Sequence, residues 1–421
     1  MHERRPVPRG AWIGLLLAIL AGTALRLAWG ADIEFKYDEH WLFEHALVTG
    51  PGALPWLGMR SSVGILNPGL SVWVFVALAR LTGATSPVEL ARAVQTLNIL
   101  ALMIVALFAL TAVEPRERES WFWGIALGAV NPMSVVLARK IWQQSVLPVF
   151  TAAALVGWWN RGKPWGAVFW GVVGACIGQV HLAGFFLTGG LVLWALLFDR
   201  QSVRWRWWTA GTLVGLAPLV PWLLYVLGEA PARSQEWFAI SRLVQAQYWI
   251  FWIVEPLGVG LWHSIGVHFR EFLSSGPWHA VGILHIAALA LGVVLYSVLI
   301  SRWREDRWSR FPVGADQTAF TANALAVGCG VLMTVSMLPL YRSYMNMTFP
   351  LEFVWLAYMA VGGDRREDLK RIARMALAGL WVVELLIAVS FLRYIHVHGG
   401  APGADYGVAY SAQPPGQTFQ P

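Results

Sequence analysis

The chain has 421 residues, of which 57% are hydrophobic and only 13% charged, against roughly 25% charged in soluble domains. A water-soluble protein could not bury that much apolar surface, so the composition excludes a soluble, disordered or fibrous protein and indicates an integral membrane protein. The net charge of +7 falls in short basic clusters between apolar runs, which is typical of loops in a polytopic protein and not of a nucleic-acid-binding surface.

Apolar runs long enough to cross a bilayer are the main predicted elements. A crossing needs about 20 mostly apolar residues, and somewhat fewer where a helix is short. Eleven runs qualify, near 11–30, 92–113, 120–138, 145–159, 165–180, 182–198, 207–228, 277–300, 319–340, 346–362 and 375–393. The sequence therefore predicts an all-α polytopic membrane protein with about 11 transmembrane helices, forming a single domain over 1–393. The first run is interpreted as a span and not as a cleaved signal peptide.

Basic residues set the predicted orientation. Arg4, Arg5 and Arg9 precede the first span, and further clusters lie at 161–163, 200–206, 302–310 and 365–374. Placing all of them in the cytoplasm puts Arg139 and Lys140 outside, and it leaves a twelfth, shorter run at 66–82 as a re-entrant segment. The N-terminus is then predicted inside and the C-terminus outside.

Three long segments are predicted on the outer side, and no soluble catalytic domain is evident. The first outer loop covers 31–91, and a later one covers 229–276. The scattered charges and tryptophans of the later loop suit either sugar stacking or an interfacial helix that rests on the bilayer. The tail, 394–421, is rich in Gly, Pro and Gln and is expected to be poorly ordered.

The strongest chemical signal is the acidic segment 32–40, Asp-Ile-Glu-Phe-Lys-Tyr-Asp-Glu-His, directly after the first span. Carboxylates at an outer membrane boundary can act as a base toward an acceptor hydroxyl or as metal ligands. The alternative is that Asp38 and Glu39 only start a helix, since acidic side chains in a first turn favour the helix dipole.

The segment resembles the first outer loop of the GT-C glycosyltransferases, in which an acidic pair follows one helix and precedes another. These polytopic enzymes, which include protein mannosyltransferases and lipid A aminoarabinose transferases, take sugar from a polyprenyl-phosphate carrier. Two further segments fit the resemblance. One is 138–145, Ala-Arg-Lys-Ile-Trp-Gln-Gln-Ser, and the other is 339–344, Pro-Leu-Tyr-Arg-Ser-Tyr, with Pro350 opening the next helix.

The resemblance implies a fold, a reaction and a set of site residues. It implies juxtamembrane helices in the first outer loop and an active site on the outer face of a bacterial inner membrane. It also implies inverting transfer of sugar from a polyprenyl-phosphate donor to an acceptor hydroxyl, with membrane lipids as the other partners. Asp38 would be the base and Glu39 would orient it or help bind the acceptor. The other implied site residues are Arg139, Lys140 and Arg342 for the donor phosphate, and Tyr341, Tyr344, His181 and Gln143 for the cavity wall.

Elementary chemistry agrees with this division of roles. A sugar phosphate already has a good leaving group, so catalysis needs a cation for the growing charge and a base for the acceptor proton. Basic residues on an outer face run against the positive-inside trend, although Arg139, Lys140 and Arg342 could instead snorkel toward lipid headgroups. His181 could bind phosphate or acceptor, or it could be a buried histidine satisfied by a backbone carbonyl.

The sequence also bears on cofactors and on rival functions. Gln143 and Gln144 stand where an acidic residue is expected, and no paired Cys or His has metal-ligand spacing, so no metal site is assigned and a divalent cation has no clear ligand set. Glu384, in the middle of the last span, is either functional or a protonated acid bonded to a neighbouring helix. The rival functions are a secondary transporter or lipid flippase, and a non-catalytic subunit of an envelope-assembly complex.

Overall fold

The computed structural model describes residues 9–48, 54–61, 64–228, 245–306, 316–362 and 367–414. The described chain is predominantly helical, which confirms the predicted helical architecture, apart from two short β-hairpins that the sequence did not indicate.

The first half of the chain alternates long apolar helices with the elements of the first loop. These are α1 (Arg9–Leu27), α2 (Tyr37–Val48), β1 (Leu57–Arg60), β2 (Leu66–Pro68), α3 (Leu70–Thr82), α4 (Pro87–Thr111), α5 (Arg118–Val130), α6 (Pro132–Leu137), α7 (Leu147–Trp159), α8 (Pro164–Val180), α9 (Gly184–Phe198), α10 (Trp205–Leu216) and α11 (Val220–Gly228).

The second half begins with short helices and ends with the longest helix. Its elements are α12 (Gln247–Val254), α13 (Trp262–Ile265), α14 (Phe269–Ser274), α15 (Ala280–Asp306), α16 (Gln317–Asn323), α17 (Gly330–Val335), α18 (Leu351–Val361), α19 (Glu367–His398), β3 (Gly400–Ala401) and β4 (Gly407–Val408). A π-helical stretch, Ala324–Cys329, joins α16 to α17.

Each of the eleven predicted crossings coincides with a helix or with consecutive helices. Five described segments are long and apolar enough to cross a membrane, and a sixth would count if the pair α12–α14, bent by 103°, were one span. The count of about 11 therefore stays a prediction. The run 66–82 forms β2 and α3, and the 13 residues of α3 extend only about 20 Å at 1.5 Å per residue, which is short of a bilayer core.

Charged contacts gather at one end of the helical bundle. Arg374 on α19 pairs with Glu119 on α5 at 2.7 Å, and Arg161 pairs with Asp199. The backbone N–H of Arg204 donates to the carbonyl of Arg161, so the loops before α8 and before α10 touch. The basic clusters that were predicted to lie in the cytoplasm thus share one end, as far as the described residues extend.

A break between α5 and α6 shapes the opposite end. Pro132 cannot continue the hydrogen-bond ladder of α5, and the Asn131 side chain accepts from the N–H groups of Met133 and Ser134 at 3.1 Å each, which caps α6. Because α6 ends at Leu137, the segment 138–146 lies across the end of the bundle. Asn131 also donates to Glu384 at 3.0 Å, so Glu384 has the neighbouring-helix bond that one of its two interpretations required.

The C-terminal tail differs from the expected poor order. Residues 394–398 continue α19, and β3 and β4 form an antiparallel hairpin. The tail pairs with the first outer loop through a β-bridge between Glu34 and Ala409, and Tyr406 is buried with its hydroxyl donating to the carbonyl of Asp32 at 2.8 Å. The expectation is therefore wrong for 394–414, because this Gly-rich stretch finds backbone partners in another segment. Residues 415–421 lie outside the described part of the chain.

Candidate active site

A cavity of about 550 Å³ opens at the end of the bundle opposite the basic loops. Six segments enclose it: the first outer loop, α6 with the segment after it, the junction of α8 and α9, the later loop at α13, the segment before α18, and the tail. Its lining residues are Glu34, Asp38, Met59, Arg60, Ser61, Asn67, Met133, Val136, Leu137, Lys140, Trp142, Gln143, Gln144, His181, His263, Ser264, Tyr341, Arg342, Ser343, Tyr344 and Asp405.

Most of the predicted site residues meet in this cavity although they are far apart in sequence. Asp38, Lys140, Gln143, His181, Tyr341, Arg342 and Tyr344 all line it. Glu39 and Arg139 do not. Asp38, Arg139 and Arg342 nevertheless share one end of the bundle, a condition that the transferase interpretation requires.

The start of α2 separates the roles of Asp38 and Glu39. Glu39 is buried, and its carboxylate accepts from the backbone N–H of Lys36 at 3.0 Å, satisfying a donor that the helix leaves unpaired. Asp38, one position earlier, faces the cavity and is hydrogen-bonded to the ring N–H of Trp142. The helix-starting interpretation therefore applies to Glu39, and Asp38 is left available to a ligand.

A chain of ion pairs surrounds Asp38. Glu34 lies 2.6 Å from the ammonium of Lys36 and 2.7 Å from that of Lys140. Lys140 is also 3.5 Å from Glu39, and Lys36 is 3.3 Å from Asp405 in the tail. Burial opposes the charge on Lys140, but the carboxylates of Glu34 and Glu39 outweigh it and raise the pKa of Lys140. Both lysines are therefore fixed cations.

Asp38 has a different environment from the other two cavity carboxylates. Glu34 and Asp405 are each within 4 Å of a lysine, whereas Asp38 forms no ion pair with any residue that the structure describes. Burial raises the pKa of Asp38, while the charges of Lys140 and Lys36 and the Trp142 hydrogen bond act in the opposite direction. A partly buried carboxylate that is more basic than usual and is not neutralised can accept a proton from a ligand.

Arg342 reaches the cavity from a 3₁₀ turn, Arg342–Met347. Its guanidinium pairs with Glu255 and donates to the carbonyl of Gly260 at 3.3 Å, and it lies 5.5 Å from the ring of Phe251. The later loop therefore fixes Arg342 through contacts on one side, while the residue still lines the cavity.

Aromatic rings and amides form the wall beside Arg342. Tyr341 lies 5.6 Å from Tyr344, whose ring is 4.8 Å from the imidazole of His181. Burial lowers the pKa of His181 to about 4, so the ring is neutral near pH 7. Its Nε2 is 2.9 Å from the Gln144 amide nitrogen, and the buried atoms His181 Nδ1 and Gln143 Nε2 have no hydrogen-bond partner among the described residues. Such atoms are suited to a polar ligand.

Arg139 is placed differently from the prediction. Its guanidinium is buried and donates to backbone carbonyls at the end of α1, including those of Leu25, Trp29 and Asp32 at 3.0, 2.9 and 3.2 Å. The carbonyl of Leu25 lies in the last turn of α1, which ends at Leu27, so it has no partner within the helix. Arg139 therefore caps α1 and does not face the cavity, so snorkelling to lipid headgroups is excluded as well.

Several charged residues at or beside the cavity were not predicted, among them Glu34, Arg60, Glu255 and Asp405. Glu34 lies inside the acidic segment, but the resemblance points to the adjacent pair Asp38 and Glu39. Arg60 ends β1, donates to the carbonyl of Gly64 at 2.7 Å, and has no carboxylate partner among the described residues. Glu255 and Asp405 carried no motif, and only the fold brings them to Arg342 and Lys36. The part of the later loop at 229–244 lies outside the described residues.

Within the described ranges, no group of three or more His, Cys, Asp or Glu side chains is arranged to hold a metal ion.

No protein-family model matches the sequence, and no curated protein does. Among solved structures, the chain is similar to ArnT from Cupriavidus metallidurans in the apo state, at 19% identity and a TM-score of 0.39, over 84% of this chain and 78% of that one. It is also similar to the Archaeoglobus fulgidus oligosaccharyltransferase in the apo form, at 13% identity and a TM-score of 0.44. The structure of AglB from the same organism with an inhibitory peptide and a dolichol-phosphate gives 13% and 0.43.

The two archaeal comparisons cover 90% of this chain but 56% of the archaeal one, so this chain spans just over half the length of that protein. All three TM-scores are below 0.5, so these likenesses carry no argument about function.

Proposed function

We propose that this chain is an integral membrane glycosyltransferase that moves a sugar from a polyprenyl-phosphate carrier to an acceptor hydroxyl. Its site of action is the outer face of a bacterial inner membrane, and its mechanism is inverting, with Asp38 as the general base. The observation that carries the proposal is the position of Asp38, a partly buried carboxylate with no ion-pair partner among the described residues, in a cavity that also presents Lys140, Arg60 and Arg342.

The reaction needs one displacement at the sugar. The acceptor oxygen attacks the anomeric carbon while the bond from that carbon to the phosphate oxygen breaks, and the bonding electrons leave with the phosphate. The acceptor proton passes to the carboxylate of Asp38. Since attack and departure occur on opposite faces of the anomeric carbon, the configuration inverts. A raised pKa makes Asp38 a stronger base toward a hydroxyl than an exposed aspartate would be.

Cations in the cavity would stabilise the charge that develops on the leaving phosphate. Lys140 and Arg342 keep the role that the sequence suggested, although each also has a carboxylate partner, Glu34 and Glu255 respectively. Arg60 joins them because it lines the cavity without such a partner among the described residues. Guanidinium groups favour two-point binding of phosphate, whereas a lysine acts as a point charge. Arg139 has no place in this proposal, since its donors are used on α1.

The neutral wall would bind the sugar. Neutral imidazole and amide groups bind hydroxyls without competing for the phosphate, and the rings of Tyr341, Tyr344 and Trp142 offer faces on which a sugar can stack. His181 and Gln143 supply the polar atoms without protein partners. With the sugar on the neutral wall and the phosphate on the cations, the anomeric carbon would lie between Asp38 and the cations.

The first experiment is native mass spectrometry of wild type and Asp38→Asn, both purified in mild detergent. The amide cannot take up the acceptor proton but keeps the size and most hydrogen bonds of the acid. We expect the variant to retain a co-purifying polyprenyl-phosphate sugar that is depleted in wild type, and its mass would identify the sugar.

The matched control is Glu44→Gln, which removes a carboxylate from the same helix at a position that is half exposed and outside the cavity. It should behave as wild type. Full transfer activity by Asp38→Asn at normal expression would exclude Asp38 as the base. Stoichiometric binding of another solute, with no such lipid in either protein, would favour a transporter.

A further inference from the structure

A second cavity lies at the other end of the bundle, between α8 and α10. It is a groove of about 580 Å³ with an almost wholly apolar lining, formed by Pro164, Trp165, Val168, Phe169, Val172 and Trp207. The groove is remote from Asp38 in the chain and contains none of the proposed catalytic residues, so its role is independent of the proposed function.

The packing of the two helices produces the groove. At Gly211 an added Cβ would lie 2.2 Å from the carbonyl oxygen of Val168, so the backbones touch there. Nearer the start of both helices the large rings of Trp165 and Trp207 are 52% and 39% exposed and leave a trough between them. The α8 residues that line the trough recur at intervals of four along one face of the helix, so the trough follows that face for about 12 Å at 1.5 Å per residue, enough for part of an extended acyl chain.

Basic side chains border the trough. Lys163 immediately precedes Pro164, and the guanidinium of Arg206 lies 5.5 Å from the ring of Trp207. Neither these two nor Arg204 forms an ion pair with a carboxylate that the structure describes, whereas Arg161 in the same pair of loops is neutralised by Asp199 at 2.7 Å. Lys163, whose ammonium donates to the Asn160 side chain at 3.1 Å, and Arg206 therefore present positive charge beside the trough that no described carboxylate neutralises.

We infer that this groove is a binding site for an anionic phospholipid. One acyl chain would lie between Trp165 and Trp207, and Lys163 and Arg206 would hold the headgroup phosphate. Basic pockets between transmembrane helices on the cytoplasmic side select anionic lipids. Each Lys or Arg near the surface attracts a headgroup with a net negative charge more strongly than a zwitterionic headgroup, whose net charge is zero. The indole rings suit the boundary between tail and headgroup. The predicted orientation puts this end of the bundle in the cytoplasmic leaflet.

The inference is tested by titrating the full-length protein in mild detergent with palmitoyl-oleoyl phosphatidylglycerol and, separately, with palmitoyl-oleoyl phosphatidylcholine, and counting bound lipids by native mass spectrometry. Wild type should bind the first phosphatidylglycerol at least about tenfold more tightly than phosphatidylcholine. Lys163→Gln combined with Arg206→Gln should remove most of that preference, because the loss of each charge should lower the affinity for phosphatidylglycerol about fivefold. Trp165→Ala combined with Trp207→Ala should weaken the binding of both lipids.

The matched control is Ile286→Ala combined with Val293→Ala, two apolar side chains of α15 that are 69% and 67% exposed and far from the basic loops. This variant should bind both lipids as wild type does. Equal affinity of wild type for the two lipids would overturn the inference, and so would a charge variant that keeps the preference. Because Lys163 and Arg206 are exposed, the charge variant should fold even if the tryptophan variant does not.

Discussion

Glu34 and Asp38 lie four residues apart in one acidic segment, yet their surroundings give them different chemistry. Glu34 lies between the ammonium groups of Lys36 and Lys140, at 2.6 and 2.7 Å, so its negative charge is compensated within the protein. Asp38 receives the electrostatic effect of the same lysines without contact to them, and burial still raises its pKa above the ordinary value. The lysines therefore limit how far the basicity of Asp38 can rise.

Lys36→Gln should move the acidic limb of the pH–rate profile to higher pH. The lysine charge favours the ionised form of Asp38, and its loss also leaves the negative charge of Glu34 less compensated, so both effects raise the pKa of Asp38 further. Since only ionised Asp38 can accept the proton, a higher pH is needed for the same rate. The profile is measured as polyprenyl phosphate released from a donor lipid extract.

Lys370→Gln is the control for that shift, because Lys370 pairs with Glu367 on α19 at the other end of the bundle. It should leave the profile unchanged. An acidic limb of Lys36→Gln that stays at the wild-type pH, or moves to lower pH, would mean that Asp38 does not control the rate.

Arg139 and Lys140 are neighbours in sequence but serve different structures. Arg139→Met should destabilise the protein by on the order of 3 kcal/mol, because it leaves the carbonyls of Leu25 and Arg26, in the last turn of α1, without their buried donor. Binding of polyprenyl phosphate by the folded fraction should be nearly unchanged. Thermal unfolding in detergent and native mass spectrometry with added polyprenyl phosphate measure the two effects.

Lys140→Met is the matched comparison, and it should weaken polyprenyl phosphate binding more than Arg139→Met does. If Arg139→Met weakened binding by more than tenfold at unchanged stability, Arg139 would have to be returned to the phosphate site.

At the scale of elements, the tail hairpin and the segment 31–36 support each other. Tyr410 and Ser411 donate backbone N–H groups to the carbonyls of Ile33 and Ala31 at 3.0 and 3.2 Å. The carboxylate of Asp32 accepts from the Ser411 hydroxyl at 2.5 Å and lies 2.7 Å from Nδ1 of His396. The segment that carries Glu34 and leads into α2 is therefore held by residues more than 350 positions later in the chain.

A chain that ends at His398 should lose both stability and donor turnover. Without 399–413 the segment 31–36 loses the β-bridge of Glu34 and Lys36 loses Asp405, so the segment that leads into α2 no longer holds Asp38 at the cavity. We expect a lower unfolding temperature and at least a tenfold fall in polyprenyl phosphate release. Tyr406→Phe, which removes one buried hydrogen bond, should cost only about 1 kcal/mol. Wild-type turnover by the shortened chain would show that the hairpin is not needed.

At the scale of the whole molecule, the basic loops and the candidate active site lie at opposite ends of the bundle. The basic loops and their ion pairs lie at one end, and the cavity and the tail lie at the other. This is the arrangement expected if the basic loops remain in the cytoplasm and the cavity opens outward.

Single cysteines test this orientation. In a chain whose Cys176 and Cys329 are replaced by alanine, Ala412→Cys should react with a membrane-impermeant maleimide in intact cells. Ser202→Cys, between α9 and α10, should react only after permeabilisation. Both positions are exposed in the structure, so access should be limited by the membrane alone. The cysteine-free parent provides the background. Equal labelling of both positions in intact cells would contradict the predicted topology.

Much of the architecture follows from the sequence because it depends on local composition. A run of apolar residues must form a helix in a bilayer, where backbone groups have no other partners, and the predicted runs do coincide with helices. The acidic segment also stands out in the sequence as a candidate site, because carboxylates clustered at an outer membrane boundary can act as a base or as metal ligands, and its role stays a prediction.

The sequence by itself determined a helical membrane protein and the positions of its apolar helices, and it predicted Asp38, Lys140, Arg342 and His181 as site residues, all four of which line one cavity. Only the tertiary structure decided that Arg139 caps α1, that Glu255 holds Arg342, and that Asp405 brings an ordered tail to the cavity. The physical reason is that apolar runs and charge density are properties of neighbouring residues, whereas an ion pair or a carbonyl contact forms between segments whose separation in sequence carries no information about their distance in space.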